Sequence, residues 1–252
     1  TNLPTIDPAD PYKLSPEEEE VMVALEASIT NSKKLQEHIN FLYTHGALFT
    51  TYNGNLLFHG CIPFTEDGDF MEVTIAGKTN HGAGLMRQLD QELREVYFNP
   101  RCDLDKADAA NLMWYLWLGP DSPLFGKDKM TTFERLFIAD KSTHKEHTVP
   151  YYKLIKNKDI CIKIIRDFDL APSKGIILNG HVPVKIKDGE SPIKGEGKLI
   201  VIDGGISKAY QKTTGIAGYT FIFNSWFMAL SEHEPYHPLQ PDGTQEFNNP
   251  NI

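Results

Sequence analysis

The pattern of apolar and polar positions changes period several times along the chain, and each change marks a predicted element. Ser15-Pro16-Glu17-Glu18 combines an N-capping hydroxyl, a proline suited to the first helical turn and carboxylates that face the positive helix end. Val21, Leu25 and Ile29 follow at spacing four, which predicts a helix. A second stretch from about Ser32 places Leu35, Ile39 and Leu42 inward and ends near Gly46. The period then shortens: Ala47 to Tyr52, the Asn53-Gly54 pair and Asn55 to Phe58 predict two strands joined by a tight hairpin turn. Phe70 to Ile75 with Gly77-Lys78 predicts another strand and turn, after which helical spacing covers Gly84 to Phe98, Leu104 to Leu118 and Asp159 to Phe168. Three apolar runs bounded by turn residues, Gly175 to Gly180, Lys198 to Asp203 and Tyr219 to Asn224, suit buried strands. Strands, a mostly helical insertion over residues 79–170 and strands again give an α/β or α+β class. An extended, proline-bearing arm is expected over residues 1–15.

Composition narrows the function classes. The chain is 40% hydrophobic and 23% charged, the balance of a folded globular domain rather than a disordered or fibrous one. Its 25 Lys and Arg against 34 Asp and Glu leave a net charge of −9, which disfavours nucleic acid and anionic membrane as partners. No apolar run approaches the roughly 20 residues of a membrane span, so a soluble protein is expected. Cys61, Cys102 and Cys161 are widely spaced and form no metal or disulfide motif, in keeping with a reducing, cytoplasmic setting. Thr1-Asn2-Leu3-Pro4 at one end and Asn248 to Ile252 at the other close no recognisable element, and a piece of a longer polypeptide is expected.

Two histidines carry the candidate chemistry. His59 ends the run Leu56-Leu57-Phe58 and is followed by Gly60-Cys61, while His181 ends Ile177-Leu178-Asn179-Gly180 and is followed by Val182-Pro183. Strand ends are where layered folds assemble sites, an imidazole held there can ligate a metal, and the adjoining glycines admit close approach. A histidine merely hydrogen-bonded at a strand edge is the competing reading for each.

Five segments together resemble one family. His59-Gly60-Cys61-Ile62-Pro63, the stretch from Trp117-Leu118-Gly119-Pro120-Asp121 to Met130, Asn179-Gly180-His181-Val182-Pro183, Ile202-Asp203-Gly204-Gly205 and Gly215-Ile216-Ala217-Gly218-Tyr219-Thr220 resemble the class III, Firmicutes-type fructose-1,6-bisphosphatases. The resemblance covers nearly the whole chain and implies that residues 1–252 are the C-terminal part of a metallophosphatase domain. It implies a calcineurin-like metallophosphoesterase fold, a β-sandwich flanked by helices, with a two-metal site at strand ends. It further implies manganese, with His59 and His181 as ligands of the second metal. The implied reaction is hydrolysis of fructose 1,6-bisphosphate to fructose 6-phosphate in gluconeogenesis, by a water that two divalent ions activate. The family's earlier motifs, Asp-x-His, Gly-Asp-x-x-Asp and Gly-Asn-His, do not occur here. The expected partners are therefore the sugar bisphosphate and an N-terminal part of the same protein, with homo-oligomerisation left open. A phosphoprotein phosphatase of the same superfamily and a non-catalytic regulatory or assembly module are the alternative readings.

Candidate phosphate contacts come from local positive charge in an acidic chain. Lys127, Lys129, Arg135 and Lys141 form one cluster, in which Arg135 is the first choice because a guanidinium can fork onto phosphate oxygens, and Lys127 the next. A solvated basic face explains the same cluster. Lys185 and Lys208, beyond the strand ends, are further candidates. Asp203 either orients a nearby imidazole or starts a Gly-Gly turn. The Gly119 to Lys127 stretch lacks the spacing of a nucleotide P-loop. His144-Lys145-Glu146-His147 reads as surface, and Trp114, Tyr115 and Trp117 read as core. Cys61, beside the histidine, leaves a redox role open.

Overall fold

The computed structural model describes residues 4–99, 106–205, 207, 214 and 218–233. Lys208, Cys102, the Gly215-Ile216-Ala217 segment and the last residues lie outside that set. The first helix, α1 (Pro16–Thr30), begins on the predicted cap, with the Ser15 hydroxyl accepting from the Glu18 backbone and the Glu18 carboxylate accepting from the Ser15 backbone. The preceding residues from 4 are exposed and turn back on themselves at Asp7 and Asp10 rather than running fully extended. Next comes α2 (Lys33–His45), capped by Ser32. Both helices leave their apolar side largely uncovered: Val21, Leu25, Ile29 and Leu42 are exposed, so Leu42 does not point inward as its spacing predicts.

The hairpin follows as read. Strands β1 (Phe49–Tyr52) and β2 (Asn55–Phe58) pair antiparallel around Asn53 and Gly54, whose positive φ values of 51° and 79° are what a tight primed turn demands. A small ribbon, β3 (Val73–Ile75) with β4 (Lys78–Asn80), leads into α3 (Gly82–Phe98), α4 (Lys106–Leu118), and the short α5 (Thr132–Phe137) and α6 (Tyr151–Leu154). The last helix of the series is α7 (Lys158–Asp167). Strands β5 (Ile177–Asn179), β6 (Ile193–Lys194) and β7 (Leu199–Val201) complete the main sheet, and β8 (Tyr219–Phe223) with β9 (Met228–Glu232) forms a second ribbon.

The main sheet has the order β1-β2-β5-β7-β6, with β2, β5 and β7 parallel and the two outer strands antiparallel. Register sets Leu56 beside Ile177 and Leu199, and Leu57 beside Leu178 and Ile200. Alternation then divides the side chains between two faces. Leu56, Ile177 and Leu199 enter the principal core with Leu85 and Leu89 of α3 and Ile164 of α7. On the other face Leu57, Leu178 and Ile200 meet Phe221 and Leu230 of the β8–β9 ribbon, so a small second β layer packs on the sheet. Mixed α and β structure is thus as expected from the sequence.

Two polar devices lock the helices. The Asp167 carboxylate accepts from the Ala83 backbone at 2.6 Å, supplying the partner that the N-terminus of α3 lacks from His81. Arg94 donates to the Tyr43 and Gly46 carbonyls and pairs with Asp90, which also accepts from the Leu48 backbone, so α3 holds the link between α2 and β1. One expectation fails here: Trp114 and Trp117 are exposed rather than core, because α4 turns that side away from the sheet, and only Tyr115 packs against the core.

A Cβ at Gly54 would touch nothing within 4 Å, so Gly54→Ala tests backbone strain alone. It should lower stability by roughly 1–2 kcal/mol through the left-handed conformation. Urea denaturation reads this, and an unchanged midpoint would mean that the turn is not held in the primed geometry.

Candidate active site

His59, His181 and Asp203 follow the carboxyl ends of three adjacent parallel strands, β2, β5 and β7. That is where open parallel sheets present ligands, since the connections diverge and leave a crevice. His59 Nε2 and His181 Nδ1 approach to 3.0 Å, with the rings edge to face. The other nitrogen of His181, Nε2, lies 2.8 Å from the Phe125 carbonyl. A carbonyl only accepts, so Nε2 carries a hydrogen, and in the neutral ring Nδ1 turns its lone pair toward His59. Burial is the main influence lowering the His59 pKa, His181 adds to it and the Asp203 carboxylate opposes it. His59 is therefore neutral at pH 7, the form that ligates a metal.

His181 has a φ of 68°, a left-handed conformation that is uncommon outside glycine and clusters at functional sites. The loop from Gly119 to Gly126 reaches the His181 ring through Phe125 and the backbone after His59 through Pro123. Its Pro123 carbonyl accepts from the Cys61 backbone at 2.8 Å, and a Cβ on Gly60 would meet that same oxygen at 2.1 Å. Gly60 is thus required by close backbone approach.

The two ring nitrogens that meet, His59 Nε2 and His181 Nδ1, are of the kind that ligates a divalent metal. His59 and His181 therefore fit as part of a metal's ligand set. Among the described residues no third His, Cys, Asp or Glu joins them to complete one. Asp203 Oδ1 accepts from the Gly205 backbone at 2.8 Å and so starts the Gly204-Gly205 turn, while its charge acts on His59 through space. A cavity of about 660 Å³ is lined by both histidines and by Leu42, Met113, Trp117 and Met130. Its walls are mainly apolar, which the sequence pattern did not reveal because Met113 and Met130 come together only in the fold.

The basic cluster is organised around a carboxylate. Glu146 accepts from Lys127 Nζ at 2.7 Å and from the Thr131 backbone and hydroxyl at 3.0 and 2.9 Å. Arg135 donates to the Thr131 hydroxyl and the His144 carbonyl. Burial alone would raise the Glu146 carboxyl, but Lys127 and Thr131 outweigh it and bring it down to about 2. The structure thus places Lys127 and Arg135 in one knot, separate from the histidine pair, with Lys185 exposed after β5. His144 and His147 turn to different partners, the Ile138 carbonyl and Asp128, and share no ligand position. Cys61 is fully buried, and burial with the nearby Asp121 charge pushes its thiol far up. Burial takes Cys161 to about 12. Neither holds the thiolate that redox reactivity needs.

Residues 1–246 match the family model described as Firmicute fructose-1,6-bisphosphatase. Proteins named fructose-1,6-bisphosphatase class 3 are similar throughout: that of Clostridium tetani is 54% identical over 94% of this chain and 36% of its own length. Those of Clostridium botulinum (strain 657 / Type Ba4) and Alkaliphilus metalliredigens are 52% and 51% identical, each over 95% of this chain and 36% of their own length. No solved structure matches. The chain belongs to the Firmicute fructose-1,6-bisphosphatase family and spans about a third of the length of the curated relatives it matches.

Replacing Glu146 by Gln should cost about 1–3 kcal/mol at pH 7, because Lys127 and Thr131 lose a charged acceptor. The native carboxyl, held below its ordinary value of 4.5, stabilises the fold above that pH, and this contribution fades as pH falls toward about 2. Urea midpoints measured across pH 6 to 2 should therefore fall more steeply for the native protein than for the variant, and parallel curves would contradict the assignment.

Proposed function

We propose that this chain is part of a metal-dependent phosphatase that hydrolyses fructose 1,6-bisphosphate to fructose 6-phosphate and phosphate, with His59 and His181 holding one divalent cation, manganese. The observation that supports this reading is the 3.0 Å convergence of two imidazole nitrogens at the ends of parallel strands, in a chain of this family. The cation would supply Lewis-acid polarisation of the phosphate and a lowered pKa for bound water. The chain's own residues hold and orient. The Phe125 carbonyl fixes the His181 ring, Asp203 adds negative charge beside His59, and Gly60 lets the two loops close.

Two ligands do not make a hydrolytic site, so the remaining ligands are assigned to the parts of the relatives' length that this chain does not span. The apolar cavity beside the pair supports the same assignment. Leu42, Met113 and Trp117 suit a packed polypeptide far better than a sugar bisphosphate, whose charges need polar partners. Contacts to the phosphate away from the cation are proposed at Lys127, Arg135 and Lys185, with Lys208 outside the described residues. Among the described residues no helix is long and apolar enough to cross a membrane, and the buried free thiols of Cys61 and Cys161 fit a reducing, cytoplasmic setting.

The test uses the full gene product, assayed for phosphate release from fructose 1,6-bisphosphate as manganese is titrated. His59→Ala and His181→Ala should each reduce turnover at least 100-fold and weaken the manganese response. Turnover close to that of the parent protein in both variants would remove the pair from the site. Preference for a phosphoserine peptide over the sugar would overturn the substrate, and no turnover of either would favour a regulatory or assembly role.

A further inference from the structure

We propose that Asn179 is the positioning residue that holds the His59–His181 pair in register. It occupies the last position of β5, is 1% exposed and lies on the core face between Phe58 and Val201. Its carboxamide nitrogen faces three consecutive carbonyls at the exit of β2: Gly60 at 2.7 Å, His59 at 3.0 Å and Phe58 at 3.3 Å. These carbonyls stand where the β2–β5 ladder ends, in a buried setting where unpaired backbone groups are costly. Its own carbonyl accepts from the Ile202 backbone at 2.9 Å, and the next residue, Gly180, donates to the His59 carbonyl at 3.0 Å. One residue thus ties together the ends of β2, β5 and β7, from which His59, His181 and Asp203 emerge.

The chemistry is specific to an amide. Two N–H groups on one nitrogen can serve neighbouring carbonyls together, whereas an ionised Asp offers only acceptors and Ser a single donor. A Leu of similar size would fill the space and take this donor away from the Phe58 and Gly60 carbonyls, while the His59 carbonyl would keep the Gly180 N–H. Loss of the clamp frees the His59 loop to shift against Gly180, and His181 Nδ1 then loses its fixed relation to His59 Nε2. Asn179 touches neither ring in this role and acts through the backbone that carries them.

The manganese readout of the test rests on the proposed ligand role of the pair, and the ring-to-ring readout does not. In the full-length chain, Asn179→Leu and Asn179→Ser are compared with the native protein and with Leu85→Ala, a core truncation in α3 away from the cavity. Circular dichroism and thermal melts establish folding. Manganese affinity should fall about 10–100-fold in Asn179→Leu, less in Asn179→Ser and within twofold in Leu85→Ala. Proton contacts between the two imidazole rings, read by NMR on histidine-labelled protein, should weaken in the same order. Should Asn179→Leu fail to fold, Asn179→Ser decides by the same criteria. A folded Asn179 variant that keeps both native manganese affinity and the ring contacts overturns the proposal. If the native chain binds no manganese, the ligand reading fails, and the ring contacts alone decide the role of Asn179.

Discussion

Parallel pairing of β2, β5 and β7 is the constraint on which the rest of the structure depends. Their register sets Phe58, Asn179 and Val201 side by side, so the residues that follow emerge at one level along one edge. A slip of one residue would turn each side chain to the opposite face and separate the two imidazoles. The register is held on both sides of the sheet. Leu56, Ile177 and Leu199 are buried under the helices, and Leu57, Leu178 and Ile200 pack under Phe221 and Leu230 of the second ribbon. Helices α3 and α7, joined through Asp167, press on the first of these faces and close the core.

Around that edge, neutral and charged chemistry are kept apart. The Phe125 carbonyl fixes the His181 ring, apolar side chains line the cavity beside the pair, and burial with the neighbouring imidazole keeps His59 uncharged against the pull of the Asp203 carboxylate. The cationic side chains Lys127 and Arg135 are gathered on Glu146 and Thr131 instead, at the far end of the loop whose Phe125 carbonyl supports His181. This loop therefore couples a fixed acid–base knot to the histidine pair through a few residues of backbone. Such an arrangement orients the two rings without placing a strong positive charge against them.

Much of the fold was legible from local signals. The Ser15 cap, the Asn53-Gly54 turn, the period of α3 and the runs that become β5 and β7 each carry a local physical signature, and each forms close to its predicted bounds; the third run, Tyr219 to Asn224, forms β8 but in the outer ribbon, where Ile222 and Phe223 are exposed rather than buried. Strand β6 is only Ile193–Lys194, and β9 follows a turn with no strong turn pair, so neither gives such a signal. Exposure of Val21, Leu25, Trp114 and Trp117 was not legible, because periodicity shows that a side is apolar and not what covers it. Strand-end context singled out His59 and His181, whose rings the fold brings together. The work of Asn179 and of the Phe125 carbonyl was invisible to pattern reading, since each joins a side chain to a backbone carbonyl across 120 and 56 residues of chain. The pairing of Lys127 with Glu146 was hidden for the same reason.

The central claim is that His59 and His181 bind one ion together, and pulsed EPR of manganese bound to the protein carrying 15N-labelled histidine tests it most directly. Native protein should show coupling of the manganese to two histidine nitrogens, His59→Ala and His181→Ala should each retain one, and the double variant none. Coupling to no histidine nitrogen in the native protein, or to nitrogens that persist in the double variant, would contradict the account.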